Sequence, residues 1–262
     1  MHARWLVGAA CAVAATAASA DTKGDALLRK ARATLIHTQS LKANLEVKAG
    51  PQALTGTVEA LKPNFGRVTL TSPGNGEMQR ISTGKEMFMV MPADKTYQKA
   101  GGGTGMERAL GLLPNDPINL FFHPSDLAAK SRTRYLGAKK VGGKTYYVVE
   151  VKSKEIPFTQ QLFLNAAGFP EGVVMTVPGA EKQTIRFWLK DVKLNPALTG
   201  AQFAYTPPAG FTLPKGPEES LLPVGQAAPD FNLDQPGGQG IYSLEQARKT
   251  KKAVLVNFWF YG

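Results

Sequence analysis

From Leu41 onward the chain changes its period. Leu41, Ala43, Leu45 and Val47 alternate with Lys42, Asn44, Glu46 and Lys48, so successive side chains point to opposite faces and only one face is apolar. Similar patterns recur at Thr55–Leu61, Gly66–Leu70, Met78–Ser82 and Glu86–Met91. They return at Thr133–Lys140 and Lys144–Lys152, joined by Gly142-Gly143, a hairpin signal. Thr159–Leu164, Gly172–Val177 and Gln183–Lys193 continue the meander, and Phe203 and Tyr205 are expected in a last short strand. About ten antiparallel strands in one sheet must curl, because strands twist.

Helical patterns interrupt this in two places. Leu27, Leu28, Ala31 and Leu35 recur at helical spacing after Thr22 and Asp25, which fit a capping pattern; His37 is expected to cap the far end. Glu107–Leu113 and Ile118–Phe122 read as short helices separated by Pro114 and Pro117, and His123-Pro124-Ser125 caps a short turn at Asp126–Lys130. The expected class is therefore mainly β with helices (α+β): a curled antiparallel sheet, or incomplete barrel, with helices across its open side. Such an arrangement encloses an apolar volume.

Composition restricts the chemistry. The chain has 262 residues, one cysteine (Cys11) and three histidines (His2, His37, His123). Disulfide frameworks and Cys-based zinc sites are excluded within it, and no serine-histidine-aspartate order or phosphate loop is present. No cofactor and no metal are expected. Net charge is +11. Residues 21–214 hold 25 basic and 15 acidic residues, whereas 215–262 hold five of each, so the excess that would attract anionic partners belongs to the first part. Nucleic acid is not an expected partner, since basic and aromatic residues do not interleave. Lys139, Lys140 and Lys144 could touch anionic headgroups, which would make a peripheral membrane contact; a solvated turn explains them equally.

Residues 1–20 carry Arg4, an apolar stretch and Ala18-Ser19-Ala20, the pattern of a secretory signal. A periplasmic or otherwise exported protein is expected. Seven of the eighteen prolines fall in 207–236, and the linker proper is placed at 214–223. The expected domains are 21–213 and 224–262.

The first domain resembles the superfamily of LolA/LolB-like periplasmic lipoprotein carriers and its lipoprotein-sorting branch. The resemblance is carried by Gly56-Thr57-Val58 running to Lys62-Pro63-Asn64-Phe65 and Arg67, by Ser82-Thr83-Gly84-Lys85 before Met87–Met91, by Thr96-Tyr97, and by Phe203–Phe211 with its Pro-Gly bend. It implies a helical lid over a hydrophobic cavity that takes lipid or lipoprotein acyl chains. Candidate ligand-binding residues are Leu41, Leu45, Met87, Met89, Phe121, Phe163 and Phe187; ordinary core packing is the competing account of each. In the carriers an arginine after the Pro-containing strand holds the lid, and Arg67 is the position that matches. Gly66 departs from the bulky residue usual before it.

Val224–Leu233, Ser243–Ala247 and Ala253–Gly262 resemble the opening of redoxin domains, the thioredoxin-like group of peroxiredoxins and TlpA/ResA-type thiol–disulfide oxidoreductases. In that family the last strand leads directly into the catalytic cysteines, so the resemblance implies a fragment whose parent is the oxidoreductase, with thiol or disulfide partner proteins, and which has no catalytic residue of its own. The alternative is a lipid or lipoprotein carrier or sensor without enzymatic activity.

Overall fold

The computed structural model describes residues 21–74, 76–100, 105–128, 131–153, 158–178, 183–214, 225–226, 229–234 and 240–250. The expected signal sequence, the linker 214–223 apart from Pro214, and the strand at 253–262 lie outside them. The chain divides into two compact units, Met1–Pro214 and Lys215–Gly262.

Helix α1 (Thr22–His37) opens the first unit. Its N-cap is Asp21, whose carboxylate accepts the N–H groups of Lys23 and Gly24; Thr22 is already helical, and Asp25 instead accepts the Thr133 hydroxyl. At the other end the cap is Thr38, whose N–H and hydroxyl both reach the Thr34 carbonyl, not His37. Leu28, Ala31 and Leu35 form the buried stripe, and each leucine so removed from water contributes about 1.5–3 kcal/mol.

The strands are β1 (Ser40–Ala49), β2 (Gln52–Leu61), β3 (Phe65–Ser72), β4 (Gly76–Thr83), β5 (Met87–Met91), β6 (Thr96–Ala100), β7 (Ser131–Val141), β8 (Lys144–Ser153), β9 (Thr159–Leu164), β10 (Pro170–Val177) and β11 (Gln183–Leu194). All eleven form one sheet in the order β6-β5-β4-β3-β2-β1-β11-β10-β9-β8-β7, and every neighbouring pair is antiparallel. The pairing of β1 with β11 joins two consecutive meanders through their first and last strands. At Gly142-Gly143 both residues have positive φ (55° and 80°), as a two-residue hairpin turn requires.

Between the meanders lie a 3-10 turn (Met106–Leu110), helix α2 (Pro117–Phe122) and a second 3-10 turn (Pro124–Ala128). The first was expected as a helix over Glu107–Leu113, the last as a short turn. Pro114, Pro117 and Pro124 leave too few residues between them for a full α-helical run.

The segment after Asn195 also departs from expectation. Phe203 ends a 3-10 turn (Gly200–Phe203), fully buried against Phe65 with ring centroids 6.1 Å apart. Pro207 and Pro208 have no N–H to offer a ladder. Pairing begins only at Thr212, which lies parallel to Thr96 at the β6 edge and exchanges backbone bonds with Lys95 and Tyr97.

In the second unit, β12 (Asn232–Asp234) pairs antiparallel with β13 (Ile241–Ser243), followed directly by helix α3 (Leu244–Thr250). The Asp230 carboxylate accepts the Glu245 N–H at 2.7 Å, which satisfies a first-turn donor of that helix.

Candidate functional site

One face of the sheet is covered and apolar. Leu41, Leu45, Val58, Val68, Met87, Phe187 and Leu189 on the strands form a single buried cluster with Leu28 and Leu35 of α1 and Leu110, Ile118, Leu120, Phe121 and Leu127 of the inter-meander segment. That segment is the cover, or lid, over β3, β4 and β10, with α1 over β7 and β8.

Gly66 lets the lid approach. A Cβ there would stand 2.5 Å from Cδ1 of Leu110, so a bulky residue at this point would push the lid away. The lid is internally organised by Asp116, which has no exposed surface. Its carboxylate accepts the N–H groups of Leu112 (2.6 Å), Leu113 (2.9 Å) and Asn119 (2.8 Å), the last capping α2. Burial pushes this carboxyl above the ordinary aspartate range, and the N–H bonds pull it back down. Arg108 pairs with Asp126 at 2.7 Å. His123 Nε2 lies 2.8 Å from Glu107 Oε1, within ion-pair range though not aligned for a hydrogen bond.

Two sheet residues tether this lid from opposite halves of the molecule. Arg80 on β4 donates from Nη1 to the carbonyls of Ala109 (3.0 Å) and Gly111 (2.6 Å). Its guanidinium is held below its ordinary range by burial, with the Asp116 charge opposing the shift. Gln160 on β9 donates to the Pro114 carbonyl and accepts from Asn115 Nδ2 at 2.9 Å.

Arg67 therefore does not hold the lid. It alternates with Gly66, Val68 and Leu70 and is paired across the sheet with Glu59 and Ile81, on the opposite face. There it neighbours Tyr205, whose phenol is raised first by burial and also by Tyr97, with Arg67 opposing. Arg80 is on the lid face, which it shares in Gly76–Thr83 with Met78 and Ser82. Gln160 shares its face with Leu162 and Leu164 in the same way. A polar residue in register with an apolar face is the signal that marks Gln160; Gly76–Thr83 has no apolar face in sequence to mark Arg80.

Of the other candidates, Leu41, Leu45, Met87, Phe121 and Phe187 meet in the covered cluster. Met89 lies on the same face beside Arg80 across the β4–β5 pair, half-buried. Phe163 does not join them: it packs on the other face with Tyr146, Val148 and Trp188, because β9 turns Leu162 and Leu164 to the lid. Lys139 and Lys140 are exposed near the β7–β8 turn, whereas Lys144 reaches to 3.7 Å from Glu171. Among the described residues no three His, Cys, Asp or Glu side chains cluster as metal ligands, and no helix is long and apolar enough to cross a membrane.

No protein-family model matches this sequence, and no curated protein matches it. Solved structures do. An uncharacterized conserved protein from Thermus thermophilus is similar over 73% of this chain and 98% of its own, at 14% identity and a TM-score of 0.51. The MucA/MucB complex of Pseudomonas aeruginosa aligns over 84% of this chain and 74% of the matched one, at 14% identity and TM-score 0.44. A LolA-superfamily protein from Nitrosomonas europaea aligns over 70% and 97%, at 14% identity and 0.39. The likeness to the Thermus protein is one of fold: an open antiparallel sheet with a helical cover.

Proposed function

We propose that residues 21–213 bind an apolar ligand, a lipid or lipoprotein acyl chain, between the lid and the covered face of the sheet. The observation that carries this is the way the lid is attached. A cover serving only as core would need no half-buried guanidinium, whose partial desolvation is costly. Here the lid is short helical pieces on an apolar face, held by Arg80 through the carbonyls of Ala109 and Gly111. Polar tethers of this kind can break and re-form, but releasing the lid also withdraws Leu110, Ile118, Leu120 and Phe121 from the buried cluster.

In the closed arrangement Leu110, Ile118 and Phe121 occupy the space above the sheet. Ligand entry therefore means lid displacement, with the acyl chain taking over the contacts these side chains leave. Each buried methylene returns about 0.8 kcal/mol, so a long chain offsets the lost tethers. Leu41, Leu45, Met87, Met89 and Phe187 would line that path, Met89 adapting its shape at the rim.

On the same reading residues 1–20 direct export, and 224–262 open a redoxin domain in a longer parent. Thiol–disulfide chemistry would then belong to cysteines after Gly262, with thiol or disulfide proteins as partners.

The test is titration of residues 21–213 with a fluorescent fatty acid and a diacylated lipopeptide, alongside native mass spectrometry. Saturable binding that Phe187→Asp abolishes is the expected result. Absence of binding to both ligands by a folded protein would overturn the proposal. Sequencing the locus past codon 262 tests the second part: an in-frame cysteine motif is expected, and an immediate stop codon removes the redoxin reading.

A further inference from the structure

The face turned away from the lid carries a site of different chemistry. The Trp188 ring lies flat over Gly172, where a Cβ would come within 2.6 Å of ring atoms Cε3 and Cζ3. Tyr146 flanks it edge-on, with centroids 5.4 Å apart and planes at 66°, and Phe163 stands at 4.9 Å on a tilt. The indole is thus backed by bare backbone and fenced by two rings. A cavity of about 360 Å³ opens against it, and Lys144, Lys190, Glu46 and Asp191 form its charged wall.

The wall is built rather than incidental. Asp191 has a φ of +53°, uncommon outside glycine. It lies where the β1–β11 register breaks near Asn44, and irregularities of this kind re-aim side chains. Asn44 Nδ2 donates to its Oδ2 at 2.8 Å. Glu46 is contacted by both Lys190 and Lys48. Below the rim, buried Glu171 accepts the Tyr146 hydroxyl at 2.8 Å and Asn165 Nδ2 at 2.9 Å, which holds the fence in place.

The wall selects the ligand. A hydrocarbon chain would strip water from four charges without replacing it. A simple anion would meet two carboxylates, and a simple cation two ammonium groups. A pyranose ring has C–H faces that stack on indole and a rim of hydroxyls that both donate and accept, and the volume lies in the range of small-molecule sites. We propose that the Trp188 pocket is a saccharide-binding site, with the sugar ring on the indole and its hydroxyls bonded to Lys190, Glu46 and Asp191. The site is independent of the lid reading, since none of its residues faces the lid cluster except through Leu189 on the strand.

The experiment is saturation-transfer NMR on the full chain with maltotriose, cellotriose and N,N′,N″-triacetylchitotriose at millimolar concentration. Transfer to ring C–H protons of at least one saccharide is expected. Trp188→Ala should weaken it by about tenfold, and Asp191→Asn should weaken it without lowering the melting temperature, which separates loss of the site from loss of the fold. Arg80→Met should leave it unchanged. No transfer to any of the three saccharides, or transfer that survives Trp188→Ala in a folded protein, overturns the proposal. Transfer to N-acetylphenylalaninamide with none to the sugars does so as well, and assigns the pocket to peptide side chains.

Discussion

Gly66 lies directly beneath Leu110, with space between them too small for a methyl group: a Cβ on Gly66 would be 2.5 Å from Leu110 Cδ1. The strand and the lid are therefore fitted to each other at one backbone position. Gly66→Ala should force Leu110 outward and cost about 1–2 kcal/mol of stability by overpacking. Gly66→Val should cost more. Urea unfolding curves of the two variants check the order, and faster uptake of fatty acid is expected in both because the lid starts further from the sheet.

Arg80 and Arg67 provide a matched comparison, one on each face. Arg80→Met leaves the Ala109 and Gly111 carbonyls without their donor, a loss of about 1–3 kcal/mol in lid closure. Amide exchange at Leu112, Leu113 and Asn119 should accelerate, while the β1–β11 core stays protected. Arg67→Met should change neither. Equal acceleration in the two variants would refute the assignment of the tether to Arg80.

Asp116 links lid stability to pH. Its carboxyl is raised in the folded state, chiefly by burial. A group raised on folding contributes stability that is complete below its unfolded value and lost as pH climbs through the folded one. Relative to Asp116→Asn, the wild-type protein should gain stability as pH falls from neutrality toward the ordinary aspartate range. Denaturant melts of both proteins over a pH series give the difference directly; a flat difference would contradict the expected shift.

Asp21 should behave with the opposite sign. Its carboxyl is lowered, first by the Tyr135 N–H and then by that of Gly24. Its contribution is present above the unfolded value and lost as pH falls through the folded one. Asp21→Asn should thus remove part of the acid limb of the stability profile and loosen the first turn of α1 where it meets β7. Exchange at Tyr135 N–H, measured in mild acid, is the most direct readout.

Much of this molecule follows from local pattern. The alternation in Ser40–Ala49, the glycine pair at 142–143 and the stripe Leu28-Ala31-Leu35 are short-range signals, and the elements formed where they occur. Alternation is also local, since the period of a strand is two. It groups Arg80 with Met78 and Ser82, groups Gln160 with Leu162 and Leu164, and sets Arg67 apart from Val68 and Leu70. The match to the carriers pointed to Arg67 because it compared order along the chain and not facing.

What no local pattern carries is the meeting of distant segments. Leu110 over Gly66, Arg80 beneath Gly111, and Trp188 laid on Gly172 between Tyr146 and Phe163 each join residues far apart along the chain or on different strands. Phe163 and Phe187 show the difference most plainly. Both are aromatic residues in strands, yet one backs an open pocket and the other fills the covered core. Sequence by itself determined which residues alternate; the pairing of strands and the placement of the helices decided which of the two faces became interior, because burial is a property of what lies opposite a side chain.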